Sequence, residues 1–125
     1  MREHPPIYKL DSEQARQPAQ VVFNRVRYAS SIGAKSVGLM FRRRVHYVLL
    51  FELGSTRCII TNLFVFQTID LVFLNQKKQV LEIRRRFRPF TPYYTPPRGS
   101  CYLLEVPTNQ AYDLNQGDQL AFTSP

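Results

Sequence analysis

The apolar residues of this chain fall into short, closely spaced runs. "QVVFNRVRYA", residues 20–29, alternates imperfectly. Val22, Asn24 and Val26 share one side; Val21, Phe23, Arg25 and Arg27 share the other, so a strand is predicted. "HYVLLFEL" at 46–53, "CIITNLFVF" at 58–66 and "TIDLVFLN" at 68–75 are apolar strand candidates. "GST" at 54–56 and "NQKK" at 75–78 read as turns between them. Alternation resumes in "QVLEIRRRF", 79–87, and strands return in "CYLLEV", 101–106, and in "QLAF" after the Gly117-Asp118 turn. Strands this short and close favour antiparallel or mixed β over a doubly wound sheet.

Two stretches break the pattern. In "SSIGAKSVGLMFRRRV", 30–45, Ser30 or Ser31 can cap a helix, and Ile32, Val37, Met40 and Phe41 approximate one apolar face. Arg42, Arg43 and Arg44 would close that helix where positive charge suits its dipole. Gly33 and Gly38 each weaken it by roughly 1 kcal/mol relative to alanine, so a short helix broken near Gly38 is expected. "PFTPYYTPPRGS", 89–100, holds too many prolines for a central strand and reads as a semi-rigid connector. Residues 1–19 read as a flexible polar tail, leaving 20–125 as one β-rich globular domain of α+β class.

Composition narrows this picture. A chain of 125 residues is one domain by length. It buries roughly two-thirds of its unfolded surface, enough for a core without metal or disulfide staples. With 17 Lys+Arg against 9 Asp+Glu the net charge is +8, a field that attracts phosphates, nucleic acids and acidic membranes. Cys58 and Cys101 sit in separate apolar stretches and read as small, reduced core residues. Residues 1–20 carry Glu3, Asp11 and Glu13 and no apolar run, so neither a secretory signal nor a transit peptide is expected. The apolar segment 58–74 is short for a membrane span and contains Asn62, Gln67 and Asp70. No transmembrane helix is predicted, and a cytoplasmic location is expected.

The chemistry concentrates around 80–88. In a regular strand Val80, Glu82, Arg84, Arg86 and Arg88 face one way, and Leu81, Ile83, Arg85 and Phe87 the other. Three arginines about 6.6 Å apart would then form a basic stripe over an apolar underside. Guanidinium forks suit phosphate or carboxylate. Phe90, Tyr93 and Tyr94 offer faces on which unpaired bases stack. The bland alternative is an edge strand protected from aggregation by charge and proline. Arg42–Arg44 would add to the same field if they share its side.

Catalytic signatures are sparse. His4 and His46 have no partners at zinc-ligand spacing, and no metal or cofactor is expected. A Cys–His dyad of His46 with Cys58 or Cys101 lacks any supporting motif. Asp70 and Glu105 interrupt apolar strands. A pair of buried carboxylates can do acid–base work. A lone acid in a core strand more often bonds backbone N–H groups or an arginine.

The order "KSVGLMFR" 35–42, "LLFEL" 49–53, "FQTIDLVFLN" 66–75, "VLEI" 80–83, "RPF" 88–90, "CYLLEVP" 101–107 and "GDQLAF" 117–122 resembles domain-of-unknown-function family 192, small bacterial and archaeal proteins. Lys35, Gly38, Leu39 and Met40 match its basic-GLM run, Asp70 its central acid, and Glu105, Gly117 and Asp118 its late LE and GD pairs. Thr68 and Phe90 stand where the family has proline and tryptophan, and "IITNLFV" departs from its aromatic-rich segment. The resemblance implies a compact, mostly β domain with one or two short helices and a strongly curled sheet or small barrel, and no established activity. The functional expectation is a non-enzymatic module whose Arg84, Arg86 and Arg88, helped by Arg42–Arg44, contact an anionic partner such as single-stranded nucleic acid. The alternative is a small-molecule binder or hydrolase using Asp70 and Glu105, and a third reading is association through an exposed sheet edge.

Overall fold

The structure, a computed structural model, describes residues 2–10, 20–29, 47–53, 68–87, 96–108 and 110–123. Nine strands form among them: β1 (Arg2–His4), β2 (Ile7–Leu10), β3 (Gln20–Phe23), β4 (Val26–Ala29), β5 (Val48–Glu52), β6 (Ile69–Leu74), β7 (Val80–Phe87), β8 (Tyr102–Pro107) and β9 (Gln119–Ala121). They make a six-stranded sheet in the order β1-β4-β5-β8-β6-β7 and a three-stranded sheet in the order β3-β2-β9. The larger sheet is mixed: β4 and β5 run parallel, and its other neighbours are antiparallel.

The apolar runs of β5, β6 and β8 lack polar alternation because both faces of the larger sheet are buried. Val48, Leu50, Val72, Leu74, Leu104 and Val106 pack on one side with Ile7, Phe23 and Leu120 from the smaller sheet. Their neighbours Leu49, Phe51, Ile69, Leu71, Phe73 and Leu103 point the other way and pack with Leu53 and Phe87. The first core is therefore shared between the two sheets. The second lies across the opposite face.

Three expectations need correction. Residues 2–10, assigned to the flexible tail, instead enter both sheets, and Ile7 is fully buried in the shared core. Pro5 and Pro6 offer no N–H to a ladder, so the chain leaves β1 and changes sheet there. Residues 20–29 form two strands rather than one. A bend at Asn24-Arg25 sends β3 to the smaller sheet and β4 to the larger, while the Arg25 carbonyl accepts from the Val48 N–H at 2.9 Å. The sheets are open, with β1 and β7 at the edges of the larger one, so the described residues form no closed barrel.

No helix occurs among the described residues, and none there is long and apolar enough to cross a membrane. The helix expected in 30–45 and the strand expected in 58–66 lie outside the described residues, as does Cys58. Cys101 is a free, half-buried thiol.

Candidate functional site

The basic segment is strand β7, at the edge of the larger sheet. Its pairing with β6 is irregular at two places. Ile83 faces Val72 and Arg84 faces Leu71, but the next partner, Ile69, faces Phe87. Three steps along β7 therefore oppose two along β6, which is a β-bulge. A second shift separates the Phe73–Glu82 and Leu74–Val80 pairs. Arg86 takes the left-handed conformation, with φ of 56°, and its N–H turns to Asp70 Oδ1 at 2.9 Å.

This bulge breaks the predicted stripe. Arg84 lies opposite Leu71, on the face of the second core, and Phe87 is buried in that same core. Arg85 points to the other face, where Nη1 donates to Tyr112 Oη at 3.1 Å and Nη2 to the Leu114 carbonyl at 3.3 Å. Arg85 and Phe87 do not share a side, and Arg84 and Arg86 are not two teeth of one regular comb. Arg84, Arg85 and Arg86 are nonetheless all exposed. Arg88, Phe90, Tyr93 and Tyr94 lie outside the described residues, as do Lys35, Gly38, Leu39, Met40, Arg42, Arg43, Arg44 and His46.

Asp70 fixes the bulge. It is 2% exposed and projects from β6 into the shared-core side. Besides the Arg86 N–H, it accepts from Thr108 Oγ1 at 2.9 Å and from the Tyr112 hydroxyl, and Arg85 Nη1 stands 3.8 Å from Oδ2. Burial, followed by the bond to the Asp70 carboxylate, pushes the Tyr112 phenol well above its ordinary range. The hydroxyl thus stays protonated, donating to Asp70 while accepting from Arg85. Tyr112 and Thr108, in the polar stretch after β8, carried no sequence signal for this role.

Glu105 is 9% exposed on β8, paired across to Leu49 and Leu71. Leu104 and Val106 flank it and face the shared core, so its side chain lies on the second-core face. No described residue donates a hydrogen bond to it. Burial raises its pKa from 4.5 to about 8. Asp70 and Glu105 therefore occupy opposite faces of one sheet and cannot act as a joint acid–base pair in one pocket. This removes the basis of the hydrolase alternative that used both carboxylates.

Gly117 and Asp118 form a turn that ties β7 to β9. Gly117 has φ of +91°, which glycine adopts without steric penalty. Its N–H donates to the Val80 carbonyl at 2.8 Å, and the Val80 N–H donates to the Asp118 carbonyl at 2.9 Å. Asp118 Oδ2 accepts from the Asn115 N–H at 2.7 Å and stands 3.4 Å from Lys9 Nζ. Among the described residues no three His, Cys, Asp or Glu side chains stand together as metal ligands.

Comparison with known proteins adds the family context. The model of DUF192, described as Uncharacterized ACR, matches residues 13–122. A UPF0127 protein of Thermococcus sibiricus is 32% identical over 101 residues, covering 77% of this chain and 64% of that protein, so the match spans less than two-thirds of its length. A UPF0127 protein of Pyrococcus furiosus is 34% identical over 100 residues, covering 76% of this chain and 84% of the relative. The crystal structure of a protein of unknown function from Novosphingobium aromaticivorans superposes with a TM-score of 0.75 at 16% identity, covering 94% of this chain and 84% of that one. At that identity the likeness is one of fold.

Proposed function

This chain belongs to the DUF192 family, and from that premise we propose that it is a non-enzymatic binding module, acting in the cytoplasm, whose basic β7 edge engages an anionic partner. The observation that carries this reading is the run of three consecutive exposed arginines, Arg84, Arg85 and Arg86, on an edge strand. Arg85 is held by Tyr112 and Leu114. The bulge at Arg86 lets Arg84 and Arg86 leave the strand in different directions. Splayed guanidiniums suit an irregular phosphate backbone better than a flat anionic surface. Single-stranded nucleic acid is the partner that fits, with Arg88 and Arg42–Arg44 as further contacts and Phe90, Tyr93 and Tyr94 as stacking faces. The net charge of +8 supports the same sign of partner.

The test is fluorescence anisotropy with a labelled single-stranded oligonucleotide across a salt series. Affinity should fall by roughly 0.7 log units per tenfold salt for each phosphate contact. Replacing Arg84 and Arg86 together by alanine should flatten that slope by about 1.4, the contribution of two contacts. Undetectable binding at low salt, or a slope unchanged in the double variant, refutes the reading.

A further inference from the structure

The opposite edge of the larger sheet carries a second concentration of charge. A cleft of about 400 Å³ opens there, lined by Glu3, His4, Asn24, Arg25, Val26, Arg27 and Tyr47. Its volume falls within the ordinary range for small-molecule sites. The local order of residues accounts for its shape. The bend at Asn24-Arg25, where the chain changes sheets, leaves a recess beside β1 and β4. The Val26 side chain turns into the shared core, so Arg25 and Arg27, on either side of it in sequence, are left to the opposite side.

Among the described residues neither arginine has a counter-ion. Glu3 is in register with Arg27 across the β1–β4 ladder, yet no described carboxylate lies within 4.0 Å of either guanidinium. Arg27 lies over the Tyr47 ring, 4.7 Å from its centroid. That stacking limits the freedom of a side chain that otherwise loses much rotamer entropy on binding. His4 is not offered to a ligand. Its ring nitrogens face the carbonyl oxygens of Pro5 and Thr123, at 2.7 and 2.8 Å.

We propose that this cleft binds a small oxoanion, a carboxylate or a phosphate monoester, between the forks of Arg25 and Arg27. Tyr47 holds the second fork in place as a positioning residue. Glu3 on the rim sets an upper limit on ligand charge, admitting a compact anion and opposing a polyanion. The site is independent of the β7 edge. Five strand spacings of about 4.8 Å, roughly 24 Å in all, separate β1 from β7.

The test titrates the whole chain with inorganic phosphate, phenyl phosphate and benzoate at matched ionic strength, followed by backbone amide NMR. Saturable shifts are expected at Glu3, His4, Asn24 to Arg27 and Tyr47. The combined Arg25→Ala and Arg27→Ala variant should bind at least about tenfold more weakly, as loss of two charge-assisted contacts requires. Arg25→Lys and Arg27→Lys keep charge and stem, and so keep the fold, but should still lose several-fold through loss of the fork. Glu3→Gln should tighten phosphate binding, and the Arg84→Ala, Arg86→Ala variant should leave it unchanged. Non-saturating shifts, binding undiminished by both lysine substitutions, or loss of phosphate binding on changing only Arg84 and Arg86 would overturn the proposal. Because the last variant addresses the β7 edge alone, failure here and failure of the nucleic-acid reading remain distinguishable.

Discussion

Asp70 and Glu105 sit on neighbouring strands, close in the same sheet, and both are removed from water. Burial sets them the same problem, because an ionised carboxylate without partners is costly in a low-dielectric interior. Asp70 meets it with donors: a backbone N–H, two hydroxyls and a guanidinium close by. Among the described residues Glu105 has no such donors, and burial favours its protonated form, raising its pKa to about 8. One acid is thus part of the architecture, pinning β7, the segment after β8 and the bulge at Arg86. The other is a neutral side chain over much of the physiological range, standing among Leu49, Leu71 and Leu103. Residue type and strand context are alike in the two cases, and the neighbours decide the role.

The contrast can be broken most forcefully at Asp70. Asp70→Ala strands the Tyr112 hydroxyl, the Thr108 hydroxyl and the Arg86 N–H, and should cost about 3–5 kcal/mol, as removal of one member of a buried charged network does. Urea unfolding would measure it. A loss below about 1 kcal/mol would mean that water replaces the carboxylate, and the pinning role would fall.

Glu105 gives the next largest effect, with a definite direction. A carboxyl whose folded pKa exceeds its unfolded value stabilises most below about 4.5, and that contribution fades as pH rises through about 8. At about 1.4 kcal/mol per pH unit, some 3 kcal/mol should be lost between pH 4.5 and pH 7. Glu105→Gln should remove this slope, leaving the variant more stable than the parent above neutrality. Parallel curves for the two proteins would show that Glu105 is not held protonated. Tyr112→Phe should have the smallest effect, about 1 kcal/mol at neutral pH, the usual worth of one hydrogen bond with the aromatic body retained. Because Asp70 keeps its other donors, this loss should be well below that of Asp70→Ala.

Much of the sheet was legible in the sequence. The runs at 48–52, 69–74 and 102–107 are strands because two buried faces demand continuous apolar character, and turn chemistry at 75–78 and 117–118 bounds their neighbours. The structural reading of Asp70, a core-strand acid bonded to backbone and arginine, also follows from its isolation among apolar residues. The bulge at Arg86 was not legible. A non-glycine residue with positive φ is uncommon, and nothing in "RRRF" announces one. Phe87, assigned by alternation to the side of Ile83 and Arg85, therefore lies on the opposite face. Ile7 went unrecognised because the polar character of residues 1–19 read as a tail, whereas the two prolines before it mark the change from one sheet to the other. The cleft beside β4 depends on a sheet switch at Asn24-Arg25 that a continuous alternating pattern conceals.

The pairing of β2 with β9 also bears on how the molecule is made. His4 donates toward the carbonyl of Thr123, 119 positions away, and Tyr8 pairs with Ala121 in the ladder. Residues of β2 must wait for those of β9, more than a hundred positions further along the chain, before the smaller sheet can exist. Ile7 therefore remains without its native burial until β9 has been made. Such distant pairing slows folding through the entropy of loop closure, and the edge of β2 stays unpaired in the interval.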